Sequence, residues 1–190
     1  MRIIAGTLRG RRLQAPPGSR VRPTSDSLRE TLFNVLGPSL DGARVLDAFA
    51  GTGALGLEAI SRGAAHATFV ERDPTALRVL RENIDACGAA EACAIIRGNF
   101  PIALEQPKSL NAQRSFDLIL LDPPYEIEDL LAVVAAAAAF AASSGRVVLE
   151  HSRRRISPEA AGPLRRARVL TAGDSALSFY ARESSVTRID

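Results

Sequence analysis

Apolar and polar positions change their spacing repeatedly along this chain. Short apolar runs predict buried strands, and longer stretches with an apolar residue at every third or fourth position predict amphipathic helices. The predicted order from residue 44 onward is strand 45–49, helix 54–62, strand 67–71, helix 74–86, strand 92–97, strand 116–121, helix 127–142 and strand 146–150. Repeated strand–helix units with short connections predict an α/β fold built on a parallel, doubly wound sheet.

The beginning of the chain follows a different pattern. Residues 1–15 predict a short β-hairpin that lies outside the alternating units. A helix capped by Thr24 or Ser25 is predicted next, because apolar residues recur at helical spacing up to Leu36. The chain therefore begins with a hairpin arm followed by one helix.

The end of the chain reverses direction. Strands are predicted at 167–170 and 176–181 around a turn at 171–175, and such a hairpin adds a reversed strand to the sheet. The prediction is one domain with a mostly parallel seven-stranded sheet, divided into an arm at 1–22 and a core at 23–190.

Composition places the chain among folded domains, since 46% of its 190 residues are hydrophobic and 24% are charged. The apolar run at 130–142 is too short to span a bilayer, and no apolar signal core follows the first arginines. Cys87 and Cys93 lack a CxxC pair or a histidine cluster, which argues against a metal site and a disulfide framework. These features predict a cytoplasmic protein with no membrane segment and no metal.

Charge is distributed unevenly around a net value of +3. Residues 1–44 carry eight arginines and three acids, residues 45–150 carry eight basic and fourteen acidic residues, and residues 151–190 carry eight arginines and four acids. Residues 2–22 include six arginines and no acid, and such a block is typical of a surface that binds a polyanion. A solvated arm is the alternative, and a biased genome composition would also explain why 23 of the 24 basic residues are arginine.

A glycine-rich loop lies between the first predicted strand of the core and its helix. The segment Gly51-Thr52-Gly53-Ala54-Leu55-Gly56 has the spacing GxGxxG, and Glu71 ends the next strand, where an acid can bind ribose hydroxyls. Taken alone, this pattern fits a dinucleotide site. However, Asp47 lies four residues before Gly51, and its carboxylate would repel a pyrophosphate. It suits a ligand with an ammonium group and no phosphate, such as S-adenosylmethionine.

The segment Asp122-Pro123-Pro124-Tyr125 is the most specific motif in the chain. It follows an apolar strand at the carboxyl end of the predicted sheet, where ligands bind in open α/β folds. Prolines have no amide donor, so carbonyl oxygens around them can accept hydrogen bonds from a substrate. Asp122 adds a charged acceptor, and Tyr125 offers a ring on which a planar base can stack. The motif therefore predicts a site that holds the exocyclic amino group of a nucleobase for methylation.

Three segments occur together and in a fixed order. They are Arg22-Pro23-Thr24 before Arg29-Glu30-Thr31-Leu32-Phe33-Asn34, then Leu46-Asp47-Ala48-Phe49-Ala50-Gly51-Thr52-Gly53, and then Asp122-Pro123-Pro124-Tyr125. This combination resembles the RsmD family of bacterial guanine-N2 methyltransferases of small-subunit ribosomal RNA, from Met1 through Tyr180. The last motif is shared with DNA amino-methyltransferases, whereas the Arg-Pro-Thr segment and the arm narrow the choice to this family.

The resemblance implies a class I Rossmann-like methyltransferase that methylates the N2 amine of guanine 966 in 16S rRNA, with S-adenosylmethionine as cofactor. The implied catalytic residues, which hold the guanine, are Asp122, Pro123 and Tyr125. The implied cofactor-binding residues are Thr24, Asp47, Phe49, Gly51, Gly53, Glu71, Asn99 and Asp122. Asn99 stands where such enzymes often carry aspartate; the alternative is that Asn99 only forms a turn and does not bind the cofactor. The candidate RNA-binding residues are Arg9, Arg11, Arg12 and Arg22, of which Arg22 could equally close over the cofactor.

Three other functions stay open on the sequence. A DNA adenine-N6 or cytosine-N4 methyltransferase shares the Asp-Pro-Pro-Tyr loop but usually has a separate recognition domain. A non-catalytic RNA-binding assembly factor would keep the fold without needing that loop, and a dinucleotide oxidoreductase would need only the glycine loop. We expect a monomer whose partner is 16S rRNA, either free or within a partly assembled small ribosomal subunit.

Overall fold

Eight strands form one sheet, accompanied by five α-helices, in the computed structural model, which describes residues 1–16, 26–37, 39–105 and 115–183. The strands are β1 (Arg44–Asp47), β2 (His66–Glu71), β3 (Cys93–Arg97), β4 (Phe116–Leu121), β5 (Ala141–Ser152), β6 (Ala160–Ala161), β7 (Leu164–Ala172) and β8 (Ser175–Arg182). The helices are α1 (Asp26–Leu36), α2 (Ala54–Ser61), α3 (Pro74–Cys87), α4 (Ile102–Glu105) and α5 (Leu130–Ala138), with a 3-10 turn at Ala90–Ala92. Within these ranges, no helix has the length and apolar character needed to cross a membrane.

The strand order across the sheet is β3-β2-β1-β4-β5-β8-β7-β6. The first five strands of the chain pair in parallel, whereas β8 runs antiparallel to both β5 and β7. The predicted fold, a mostly parallel α/β sheet with a C-terminal antiparallel hairpin, is confirmed. The sheet has one strand more than predicted because the two residues of β6 pair with β7 at the edge. A strand of two residues is too short to show an alternation of apolar and polar positions in the sequence.

The predicted boundaries are wrong in the alanine-rich segment. Helix 127–142 is reduced to α5, whose first turn is capped by the Asp129 side chain, which accepts a hydrogen bond from the Ala132 amide at 2.8 Å. Beyond the other end of α5, Ala141 already pairs with Phe116, so β5 begins well before the predicted strand. A run of alanines has no apolar periodicity, and the sequence therefore does not mark where this helix ends.

Each central strand is buried on both faces of the sheet. Leu46 and Ile119 pack in one core cluster with residues of α4 and α5. Their neighbours Val45 and Leu118 point to the other face and pack with α1 and α2. Burial on both faces explains why these strands appear in the sequence as continuous apolar runs rather than as alternating patterns.

The arm lies against α2 and α3. Arg2 and Arg12 form one antiparallel bridge, which is the predicted hairpin in its shortest form. Ile3 and Leu13 are buried in a cluster that includes apolar residues of both helices. The arginines of the described part of the arm remain exposed.

Two buried polar side chains fasten the arm to the core. The carboxylate of Glu58 in α2 accepts hydrogen bonds from the amides of residues 4 and 5 at 2.7 and 3.0 Å. Asn83 in α3 accepts from the amide of Gln14 at 2.8 Å and donates to the carbonyl of Thr52 at 2.9 Å. The arm is therefore bonded to the helix that follows the glycine loop and, through Asn83, to the loop itself.

Candidate functional site

The parallel strands β1 to β4 end at the same edge of the sheet, on either side of the point where the strand order reverses between β1 and β4. Asp47 ends β1, Glu71 ends β2, Asn99 follows β3 and Asp122 follows β4. Ligands bind at such a switch point in open α/β sheets. The structure thus brings these four predicted site residues to one edge of the sheet.

Two cavities occupy this edge. The larger, which we call the main cavity, has a volume of about 660 Å³ and is lined by residues that include Glu71, Asn99 and Tyr125. The smaller, which we call the side cleft, has a volume of about 170 Å³ and is lined by residues that include Asp47 and Gly51. Phe49 and Asp122 line both cavities, so the two are neighbours.

Asp47 is 1% exposed and is only partly hydrogen-bonded. Its Oδ2 atom accepts from the Gly56 amide at 3.0 Å, and its Oδ1 atom has no partner among the described residues. Burial raises the pKa of Asp47 from 3.8 to about 7; the hydrogen bond from the Gly56 amide opposes this rise, and the charge of Glu71 adds to it. A buried carboxylate oxygen without a donor, in the wall of a cleft, suits a cationic group of a ligand.

Glu71 holds the glycine loop against the end of β2. One carboxylate oxygen accepts from the Gly51 amide at 2.8 Å, and the other accepts from the amides of Arg72 and Asp73 at 2.7 and 2.8 Å. Glu71 therefore shapes the loop, and it also lines the main cavity.

The predicted glycines have different surroundings. Gly51 has a φ of 54° and open space where a Cβ atom would stand. Gly53 has a φ of 81°, and a Cβ atom there would lie 2.4 Å from a methyl carbon of Leu80. At Gly56 it would lie 2.2 Å from the Phe69 ring. Gly51 therefore leaves room on the ligand side, whereas Gly53 and Gly56 allow the loop and α2 to pack on the core.

Aromatic rings form one side of the main cavity. The Phe49 and Phe100 rings meet edge to face with centroids 5.8 Å apart, and Phe100 and Phe140 are 6.2 Å apart. Asn99 accepts from the Arg72 guanidinium at 3.4 Å. This wall is apolar beside Asn99, as a site for a planar ring with one polar edge requires.

The Asp-Pro-Pro-Tyr loop lines the main cavity. Pro123 is buried, whereas Tyr125 is 45% exposed. Arg155 donates to the carbonyls of Ile127 and Glu128 at 2.7 and 2.5 Å. Arg155, which follows β5, therefore braces the segment that follows the loop.

Sequence reasoning missed two residues of this region. Arg29 lines the side cleft and is completely buried, although arginine is normally exposed. Its spacing offered a signal, because Arg29 precedes Leu32, Phe33 and Leu36 by three, four and seven positions and so lies on the apolar stripe of α1. Arg155 gave no comparable signal.

The remaining predicted residues are not among those that line the two cavities in the described part of the chain. Thr24 and Arg22 fall outside the described residues. Arg9, Arg11 and Arg12 are exposed on the arm and line neither cavity, and Arg11 donates to the Ala86 carbonyl at 2.7 Å. Across the described ranges, no cluster of three or more His, Cys, Asp or Glu side chains could hold a metal ion.

Relatives match the chain along most of its length. The family model described as Conserved hypothetical protein 95 matches residues 1–181. YlbH of Bacillus subtilis (strain 168), named as a candidate rRNA methyltransferase, is 36% identical over 182 residues, 95% of this chain and 98% of YlbH. Ribosomal RNA small subunit methyltransferase D of Escherichia coli (strain K12) is 42% identical over 127 residues, 66% of this chain and 60% of that protein.

Solved structures agree in fold. YhhF from Escherichia coli superimposes with a TM-score of 0.81 and 34% identity, covering 96% of this chain and 98% of YhhF. The 16S rRNA N2 G1207 methyltransferase RsmC of T. thermophilus, in complex with AdoMet and guanosine, has a TM-score of 0.68 at 24% identity, covering 88% of this chain and 45% of RsmC. This last likeness concerns the Rossmann-like methyltransferase fold alone. The family match over residues 1–181, together with the identity to YlbH, shows that the chain belongs to the family described as Conserved hypothetical protein 95, the RsmD family of rRNA methyltransferases.

Proposed function

We propose that this protein transfers a methyl group from S-adenosylmethionine to the N2 amine of a guanine in 16S rRNA, with guanine 966 as the target that the family resemblance implies. The observation that carries the proposal is the position of Asp122, which lines both the main cavity and the side cleft. A base held by the Asp-Pro-Pro-Tyr loop would therefore lie beside a cofactor held by the glycine loop.

The residues at the site fit S-adenosylmethionine. The unpartnered Oδ1 atom of Asp47 suits the ammonium group, and Glu71 and Asn99 in the main cavity suit the ribose and the adenine. The main cavity, at about 660 Å³, is within the usual range for cofactor sites. RsmC of T. thermophilus, whose fold is similar, was solved with AdoMet and guanosine.

S-adenosylmethionine would supply an electrophilic methyl group on a sulfonium, with the thioether S-adenosylhomocysteine as the leaving group and one N–H proton of the amine released. The chain's own contribution is to position the base amine and make its nitrogen more nucleophilic. The Asp122 carboxylate and the carbonyl oxygens around Pro123 can accept the N–H groups of the amine, which draws the nitrogen lone pair out of the ring. The Tyr125 ring can stack on the base, and Phe49 and Phe100 exclude water beside it.

An RNA substrate fits the charge of the surface. A guanine must leave its base pair or stack to reach Tyr125, and the protein must then hold the flanking backbone. The exposed arginines of the arm are proposed to bind RNA phosphate. Arg22 and Thr24, which lie beyond the described residues, are proposed to close over the cofactor, and Arg22 could equally bind phosphate. We further propose that arm and core act as a single cytoplasmic domain, as a monomer and without a metal.

The direct test is methyl incorporation from labelled S-adenosylmethionine into 30S particles that lack the modification, followed by nucleoside analysis. We expect N2-methylguanine in 16S rRNA. Label in duplex DNA instead would favour a DNA amino-methyltransferase, and binding of cofactor without any transfer would favour an assembly factor. Separate titrations with NADH and with S-adenosylmethionine test the third alternative, because binding of NADH in preference to S-adenosylmethionine would favour an oxidoreductase.

Variants of the loop test the assignment of residues. Asp122→Ala and Tyr125→Ala should each lower methyl transfer at saturating RNA by about 100-fold or more, because both residues are assigned to the base in the transition state. Affinity for S-adenosylmethionine should change far less for Tyr125→Ala. Glu128→Ala, an exposed acid three residues further along, is the matched control. Turnover at the wild-type rate in either loop variant would contradict its assigned role.

A further inference from the structure

The side cleft contains a second buried charge besides Asp47. Arg29 of α1 is 0% exposed and lines the cleft. Its Nη2 atom donates to the Arg2 carbonyl at 2.8 Å and to an Asp26 carboxylate oxygen at 2.6 Å. Its Nε and Nη1 atoms have no hydrogen-bond partner among the described residues. Buried donors on a cation are strongly unfavourable without an acceptor, so a ligand that supplies one would bind here.

Arg29 and Asp47 do not form an ion pair with each other. In the part of the chain that the structure describes, the carboxylate within 4.0 Å of Arg29 belongs to Asp26 and not to Asp47. Both side chains line the same cleft, and each has polar atoms left without a partner. The residues that line the cleft therefore include a cation with unpaired donors and an anion with an unpaired acceptor.

This pair is complementary to an α-amino acid group. Such a group carries an ammonium and a carboxylate on one carbon, and the cleft of about 170 Å³ has the space of roughly five or six water molecules. A phosphate or pyrophosphate would meet the Asp47 carboxylate and be repelled. A simple amine would leave Arg29 without an acceptor.

We infer that Arg29 binds the α-carboxylate of S-adenosylmethionine in the side cleft, while Asp47 binds its ammonium group. This inference rests on the proposed function, because it takes S-adenosylmethionine as the cofactor. It assigns a residue of α1, outside the glycine loop, to recognition of the methionyl end. The nucleoside end is left to the main cavity, where Glu71 and Asn99 lie.

The test compares two ligands by isothermal titration. Decarboxylated S-adenosylmethionine keeps the nucleoside, the sulfonium and the ammonium, and lacks only the carboxylate. The wild-type protein should bind it about tenfold or more weakly than S-adenosylmethionine, because a charge-assisted hydrogen bond is lost. Equal affinities would overturn the inference and leave the proposed function intact. If S-adenosylmethionine itself failed to bind, the proposed function would fall, and this inference with it.

A variant identifies the residue responsible. Arg29→Gln should lower affinity for S-adenosylmethionine about tenfold or more and leave affinity for the decarboxylated ligand nearly unchanged, so that the preference disappears. Arg78→Gln, on the exposed surface of α3, is the matched control. Equal weakening of both ligands by Arg29→Gln would show that Arg29 only shapes the cleft, since it also bonds to the arm, and would overturn the assignment. If the variant does not fold, equal affinities of the wild-type protein for the two ligands would still overturn the inference.

Discussion

Replacing Asp47 by asparagine should make the protein more stable and a poorer cofactor binder at the same time. The carboxylate is almost fully buried, and its pKa is raised from 3.8 to about 7 because burial disfavours the charged form. The unfolded chain ionises this group near its ordinary pKa, so between these values the folded protein holds a proton that the unfolded chain has released. The stabilising effect is therefore complete below pH 3.8 and is lost as the pH rises to about 7.

The size of the effect follows from that interval. At about 1.36 kcal/mol per pH unit, the rise from 3.8 to about 7 corresponds to about 4 kcal/mol lost from the free energy of unfolding above pH 7. The asparagine side chain of the variant would not ionise, but its amide would leave a buried donor or acceptor unpaired, which costs about 1–3 kcal/mol. The apoprotein with Asp47→Asn should therefore be more stable than the wild type by about 1–3 kcal/mol at pH 8.

Urea unfolding followed by circular dichroism, at pH 5 and at pH 8, measures this difference. The advantage of Asp47→Asn should shrink by about 3 kcal/mol at pH 5, where the wild-type carboxyl is protonated in the folded state. Titration should show at least roughly tenfold weaker S-adenosylmethionine binding, because the ammonium loses a charged acceptor. Asp85→Asn on the exposed face of α3 serves as the control. A stability difference that stays the same at both pH values would refute the reasoning.

Two further predictions concern the arm. Replacing three of its exposed arginines with glutamine should weaken RNA binding and make the slope of log K against log salt shallower by roughly two, at about 0.7 per phosphate contact, without changing cofactor affinity. These residues are Arg9, Arg11 and Arg12. Filter binding over a salt series measures the slope, and an unaltered slope would mean that the arm is only solvated. Glu58→Ala should lower the free energy of unfolding by about 3–5 kcal/mol, because it leaves the buried Arg62 and two arm amides without an acceptor. Urea unfolding measures this, and a loss below about 1 kcal/mol would contradict it.

The sequence predicts the parallel part of the sheet well because burial on both faces leaves a clear signal. For β4, the segment from Phe116 to Leu121 is apolar except for the exposed Asp117 and lies between Ser115 and Asp122, and both ends of the strand match the prediction. The alanine-rich helix was predicted too long because alanine is compatible with either element and marks no face. Beyond α5, the chain becomes a strand because Ala141 pairs with Phe116. A contact between residues so far apart in the sequence leaves no sign in the local pattern of apolar and polar positions.

The site could be predicted where its residues occupy the ends of strands. Asp47, Glu71 and Asp122 each follow an apolar run, and parallel strands bring such positions to one edge. The roles of Arg29 and Glu58 could not be predicted, because they depend on which segment of the chain packs over these side chains. Both are buried partly by the arm, and the sequence does not show where a separate hairpin will lie.

The attachment of the arm has a consequence for the order of assembly during synthesis. Glu58 lies 54 residues after Ile4, and Asn83 lies 69 residues after Gln14, so the arm's partners are translated well after the arm itself. At about 5–20 residues per second, the second partner appears roughly 3 to 14 seconds later. Ile3 and Leu13 remain without a core to cover them for that time. The arm is thus made before the helices that hold it, and a nascent chain stalled before α3 would carry an unanchored basic arm.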